Sequence, residues 1–141
     1  MSDNKQINQY LTFTVNEEVY ALNVLNVREV LEFSQLSKVP RMPEFMRGII
    51  NLRGSIVPVI DLKLKFELGR TEKSIDSSVI VCELIMDEDT VVMGLLTDSV
   101  REVINLDNKD IEPTPYVGAK IDTAFIQGMG KKDESFIIIL N

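Results

Sequence analysis

Short stretches of alternating apolar and polar side chains, each broken by turn-forming residues, recur along this chain and confine it to folds built from antiparallel hairpins. The first is Tyr10-Leu11-Thr12-Phe13-Thr14-Val15, which Asn16-Glu17-Glu18 turns back into Val19-Tyr20-Ala21-Leu22. A second pair, Met46 to Leu52 and Ile56 to Ile60, flanks Arg53-Gly54-Ser55, where Gly54 supplies the positive φ that a tight turn demands. Pro58, lacking a backbone donor, suits an edge strand. A third pair, Val79 to Met86 and Val91 to Leu96, flanks the acidic turn Asp87-Glu88-Asp89, and Ser135 to Leu140 supplies a last strand. Such spacing points to small barrels or a sandwich rather than a parallel α/β sheet.

Other segments punctuate this series. Asn23 is placed to cap a short helix over Val24 to Leu31, whose Val24, Val27 and Leu31 share a stripe facing away from Leu25. Val39-Pro40-Arg41-Met42-Pro43-Glu44 is expected to be irregular, because each proline removes a donor and disfavours helix for the residue before it. Glu67 to Ser77 is polar and reads as a linker.

The chain also echoes itself. Val100-Arg101-Glu102-Val103 follows the third hairpin as Val27-Arg28-Glu29-Val30 follows the first, and Phe125-Ile126-Gln127-Gly128 repeats the pattern of Phe45-Met46-Arg47-Gly48. Echoes this short arise by chance in a valine-rich chain, so a duplication rests on the order of elements more than on identity. The expectation is a mainly β chain of two packed five-stranded barrels with short helices. A flexible N-terminus covers 1–9, a first barrel mainly 10–66, a linker 67–77 and a second barrel mainly 78–141.

With 141 residues, 45% apolar and 26% charged, the chain has the composition of one ordinary globular unit with a sizeable core. Its net charge of −7 repels nucleic acid, and no basic patch offsets it along the sequence. The lone cysteine, Cys82, has no partner for an internal disulfide, the N-terminus has no signal-peptide core, and no apolar run approaches the ~20 residues that span a bilayer. A reduced, cytoplasmic setting is expected.

Chemistry has little to work with. The chain contains no histidine, which removes the usual general base near neutral pH, the commonest metal ligand and every Ser-His or Cys-His nucleophile pair. Cys82 lies in an apolar strand and reads as a small core residue rather than a nucleophile. Asp87 with Asp89 and Asp107 with Asp110 fit turns and helix starts better than a cation site, and the spaced ligands and central glycine of an EF-hand loop are missing. There is no tryptophan to stack a sugar, and Gly128-Met129-Gly130 runs into Lys131-Lys132 rather than into a phosphate loop. No enzyme activity, cofactor or metal is expected. Arg53 stands out at a hairpin tip, either as a solvated turn residue or as a forked donor to a carboxylate.

The run Val39-Pro40-Arg41-Met42-Pro43-Glu44-Phe45-Met46-Arg47-Gly48-Ile49-Ile50-Asn51-Leu52-Arg53-Gly54-Ser55-Ile56-Val57-Pro58-Val59-Ile60-Asp61-Leu62 resembles the hallmark of CheW-like domains. With Phe13 to Val30 upstream and Val91-Val92-Met93-Gly94 and Phe125-Ile126-Gln127-Gly128 downstream, the resemblance covers roughly residues 10–141. It implies two SH3-like five-stranded barrels around a shared core. It also implies a scaffold, without catalysis, that couples bacterial chemoreceptors to a histidine kinase at membrane-associated arrays in chemotaxis signalling. The receptor-contact arginine of the family falls on Arg53 and its acidic partner on Glu29, with Gly48 and Asn51 lining the receptor groove. Gly48 has a strand kink as its other reading. Kinase contacts fall on Leu11, Val24 and Val27, for which plain core packing is the alternative, and a second contact falls on Tyr116 after Pro113-Thr114-Pro115. Relatives continue past the Ile-Leu-Asn region into a C-terminal helix that has no counterpart before Asn141, and without it part of the barrel surface is expected to be uncovered. Rival readings are a CheW-like domain from a longer kinase or receiver-fused adaptor, and a divalent-cation or small-molecule binding domain.

Overall fold

Two-residue turns organise the hairpins. Asn16 and Glu17 both take positive φ (53° and 69°) between β1, Ile7–Val15, and β2, Glu18–Asn23, and the same is true of Arg53 (51°) and Gly54 (87°) between β4, Met46–Leu52, and β5, Ser55–Asp61. This mirror-image turn matches the twist of paired strands, so each hairpin closes directly, Val15 on Glu18 and Leu52 on Ser55. A computed structural model describes residues 7–33, 36–38, 40–86, 88–107, 110–112, 126–132 and 135–140.

The chain continues through a 3₁₀ turn, Val24–Asn26, into β3, Val27–Glu32. A four-residue helix α1, Leu62–Lys65, follows β5, and then come β6, Ser78–Met86, β7, Asp89–Thr97, and β8, Ser99–Asp107. The last strands are the short β9, Ile111–Glu112, then β10, Ile126–Lys132, and β11, Ser135–Leu140. The strands form two sheets, ordered β8-β1-β2-β11-β10-β9 and β3-β6-β7-β5-β4. The mainly β architecture expected from the sequence is present, with five long strands in each sheet and β9 as an addition to one.

The internal repeat is present in the pairing itself. The strands β1, β2, β3, β4 and β5 correspond in order to β6, β7, β8, β10 and β11, and both sheets repeat one order under that match. β5 lies parallel to β7 (Val59 on Gly94), and β11 lies parallel to β2 (Ile139 on Ala21). The register slips between Met46 and Gly48 on β4 and at the matching place between Ile126 and Gly128 on β10. Ser37 bridges Ile49 of β4 as Glu112 pairs with Met129 of β10. The sheets, however, do not coincide with the halves of the chain. β3 crosses to pair with β6, and β8 crosses back to pair with β1, so the boundaries 10–66 and 78–141 follow the repeat and not the sheets.

Because of this exchange each sheet is buried on both faces. Alternate residues of one strand enter different cores: Ile80 and Cys82 join Leu11, Phe13, Tyr20 and Leu22 in a core shared by the two sheets, while Val79 and Val81 pack with Val59 and Leu96 on the far side. Tyr10, Ala21, Ile104 and Ile139 form the equivalent cluster behind the first sheet. Burial on both faces explains why Val79 to Cys82 is continuously apolar.

Two expectations are corrected. The helix over Val24 to Leu31 is confined to the 3₁₀ turn, which Asn23 does cap by accepting a bond from the Leu25 amide (2.9 Å). From Val27 onward the chain is strand, because a β-branched segment with alternating burial gains more from the ladder with β6, some fifty residues away, than from a single exposed turn. Pro58 is not on an edge strand, since β5 lies between β7 and β4. Its nitrogen points away from β4 at a non-hydrogen-bonded pair with Ile49, and the ladder with β7 begins only at Val59, so no donor is needed there. The segment between α1 and β6 is polar and irregular but anchored, with Thr71 and Ser77 buried. Residues 40–44 are irregular as expected; Val39 lies outside the described residues.

Tyr20 stacks between Phe13 (6.0 Å) and Phe66 (5.6 Å) in the shared core, and among the described residues its hydroxyl has no hydrogen-bond partner. Burial, with the charge of Glu18, pushes its pKa up to about 12 from 10.0. Tyr20→Phe removes an unsatisfied buried hydroxyl, so at pH 7 the variant is expected to match the wild type or exceed it by about 1 kcal/mol. The unfolded phenol ionises near 10 and the folded one near 12, so the tyrosine's contribution is complete below pH 10 and lost as pH rises toward 12. Urea melts across that window should fall more steeply for the wild type than for the variant; parallel curves would contradict this.

Candidate functional site

A groove of about 660 Å³ opens on the β3 side of the second sheet. Arg28 and Glu29 of β3, Leu52, Arg53, Ser55, Ile56 and Val57 of the β4–β5 hairpin, and Val92 of β7 line it. Arg53 reaches across to Glu29 in a fork, Nη1 to Oε1 at 2.8 Å and Nη2 to Oε2 at 3.2 Å. The arginine side chain is 76% exposed and the glutamate 24%. The guanidinium pKa is raised, first by that hydrogen bond and then by the charge of Glu29.

Local structure aims this arginine. Asn51 Oδ1 accepts a bond from the Gly54 amide (2.9 Å), bracing a turn in which Arg53 itself sits at positive φ, a conformation that a non-glycine residue holds only where its surroundings enforce it. Arg28, on the same strand as Glu29, pairs through Nε with Glu83 Oε1 (2.6 Å). The site thus combines the apolar side chains of Leu52, Ile56 and Val92 with two arginines and one carboxylate, an arrangement for holding a partner that is part apolar and part charged.

The other residues singled out from the sequence fall in different places. Asn51 supports the turn rather than lining the groove. Gly48 also lies away from it, buried at the β4 bulge, where a Cβ would stand 2.6 Å from the Ser37 carbonyl oxygen; its kink reading describes its position. Leu11 is buried in the shared core, and Val24 and Val27 are partly buried against the same core, as their packing reading has it. The apolar side chain that the 3₁₀ turn presents outward is Leu25, 85% exposed, on the side away from Val24 and Val27. Tyr116 lies outside the described residues.

Behind the groove strand, Arg47 reaches Asp61. The carboxylate is fully buried and accepts from Arg47 Nη1 (2.8 Å), the Thr71 amide (3.0 Å), the Lys63 amide (3.0 Å) and Thr71 Oγ1 (2.7 Å). Arg47 Nη1 also donates to the Thr71 carbonyl (2.8 Å), so one ion pair ties β4, the start of α1 and the linker together. Neither this pair nor the Ile56 lining was legible in the sequence, although Arg47 and Asp61 sit in its most distinctive stretch.

Cys82 is buried, and burial alone pushes its thiol up to about 11, which suppresses the thiolate a nucleophile requires. Among the described residues no group of three or more Cys, Asp or Glu side chains is placed to hold a metal ion, and no helix is long and apolar enough to cross a membrane.

Comparison with known proteins bears on the family and the fold. The model of the CheW-like domain matches residues 9–141. The chain is 31% identical over 133 residues to a chemotaxis protein CheW of Klebsiella aerogenes, covering 94% of this chain and 78% of the relative. It is 29% identical over 138 residues to a chemotaxis protein CheW of Helicobacter pylori, covering 98% and 81%. The crystal structure of the scaffolding protein TtCheW from Thermoanaerobacter tengcongensis superposes with a TM-score of 0.86 at 43% identity, over 96% of this chain and 90% of that one. Domain model, sequence relatives and fold converge, and the chain belongs to the CheW-like domain family as a chemotaxis adaptor of the scaffolding kind.

Proposed function

We propose that the chain joins chemoreceptors to a histidine kinase through two separate surfaces, without chemistry of its own, and that it is recruited from the cytoplasm to receptor arrays. The groove at Arg53 and Glu29 receives the cytoplasmic tip of the receptor. The observation that carries this reading is the forked, largely exposed Arg53–Glu29 pair at the mouth of a mixed polar and apolar groove. A pair so exposed adds little to stability, whereas charged groups at a rim govern which partners dock. Asn51 acts by shaping the turn, and Gly48 by letting the 36–38 segment close over β4.

The kinase regulatory domain docks around the 3₁₀ turn, where Leu25 is exposed and Val24 and Val27 are partly buried at the rim of the shared core. Leu11 supports that surface from beneath, and Tyr116 belongs to a second kinase contact.

Titration calorimetry of the purified chain against a receptor tip fragment and against the kinase regulatory domain tests both sides. Arg53→Glu places like charges at the fork and is expected to weaken tip binding roughly tenfold or more, with kinase binding unchanged. Equal tip binding by wild type and variant would remove Arg53 from the receptor site.

A further inference from the structure

We infer that Arg28 is a second recognition cation of the groove, so that the receptor segment it receives carries carboxylates on both sides of an apolar side chain. This rests on the reading of the groove as the receptor site and adds a residue to it.

Neighbouring residues of a regular strand point to opposite faces, so Arg28 and Glu29 would not line one groove. The ladder with β6 slips between Val27, opposite Cys82, and Glu29, opposite Val81, which leaves Arg28 as the extra residue of a bulge. A bulge re-aims side chains, and here both Arg28 and Glu29 face the groove. The Arg28 side chain is 53% exposed, and its one ion pair among the described residues, to Glu83, occupies Nε and leaves the terminal nitrogens to another acceptor. Arg53 engages Glu29 through its two terminal nitrogens, which leaves Nε and the outer face of its guanidinium. Each guanidinium therefore retains donors for a partner's carboxylate. Leu52, Ile56 and Val92 supply the apolar side chains of the same groove. The chain carries a net charge of −7 and each arginine is paired with a glutamate, so it is the remaining donors of the two guanidiniums, side by side in one groove, that favour a carboxylate-bearing partner there.

The experiment compares Arg28→Glu, Arg28→Gln and Arg53→Glu in the full chain by calorimetry, using a receptor tip fragment and the kinase regulatory domain as ligands. Arg28→Glu is expected to weaken tip binding about tenfold and Arg28→Gln less, with kinase binding and the urea midpoint unchanged because an exposed ion pair contributes little to folding. A tip fragment with its groove-facing glutamates changed to glutamine should lose affinity for the wild type and lose less for Arg28→Gln, the coupling expected of a direct pair. Unchanged tip binding by both Arg28 variants, with Arg53→Glu still weakening it, would overturn the role of Arg28 and leave the groove reading intact. Unchanged binding by all three would overturn the groove reading itself.

Discussion

Asp61→Ala is expected to cost about 3 to 5 kcal/mol of folding stability, because it strips the partner from a buried guanidinium. Arg47 is only 14% exposed, and after the change it is left with the Thr71 carbonyl (2.8 Å) and the Phe33 ring (5.5 Å from its guanidinium), neither of which neutralises its charge. The Thr71 amide and hydroxyl and the Lys63 amide lose their acceptor in the same step. Asp61→Asn retains shape and one oxygen, but it turns an NH₂ group toward Arg47 and Thr71 donors or gives up the bonds at Lys63, so it should also be destabilised. The companion measurement is Arg47→Met combined with Asp61→Ala, which removes the uncompensated charge and should recover part of the loss. Urea melts read both results. A single Asp61→Ala variant within about 1 kcal/mol of wild type would show that the buried pair is not what anchors the linker.

Gly48→Ala should lower stability by about 2 to 4 kcal/mol, although it adds one carbon. The new Cβ would stand 2.6 Å from the Ser37 carbonyl oxygen and 2.9 Å from Leu36 Cβ, with the backbone at φ 154°. One obstacle is backbone, so no rotamer change relieves it. The 36–38 segment must move off β4, breaking the two bonds between Ser37 and Ile49 (2.9 and 3.1 Å). Hydrogen exchange should then accelerate at the Ser37 and Ile49 amides ahead of those in β6 and β7, where the ladder is internal. Gly54 makes the contrast clear: its φ is also positive, but a Cβ there meets nothing within 4 Å. An unchanged melt with both amides still protected would refute the close-approach account of Gly48.

These two positions illustrate what was legible. The hairpins were, because alternation and paired turn residues are local, and β4 was expected over Met46 to Leu52, where it is found. The repeat was legible as well, in the order of its elements. The segment after Asn23 was misread, because Val24, Val27 and Leu31 satisfy a helical period as well as they satisfy a strand, and only β6 decides between them. Pro58 was misplaced because an edge inferred from a missing donor overlooks the partial ladder that leaves a central strand with unpaired positions.

For the site, residue types and turn chemistry singled out Arg53 and the resemblance singled out Glu29, and the structure joins the two in a fork. What the chain order could not express is which side chains share a face. The bulge that brings Arg28 beside Glu29, the bridge that buries Gly48, and the shared core against which Val24 packs while Leu25 stays exposed all depend on strands distant in sequence. Local preferences set the strands and turns, since each follows from a few neighbouring residues. Pairing between the two halves set the faces, because a strand side chain acquires an inside and an outside only when its sheet partner is in place.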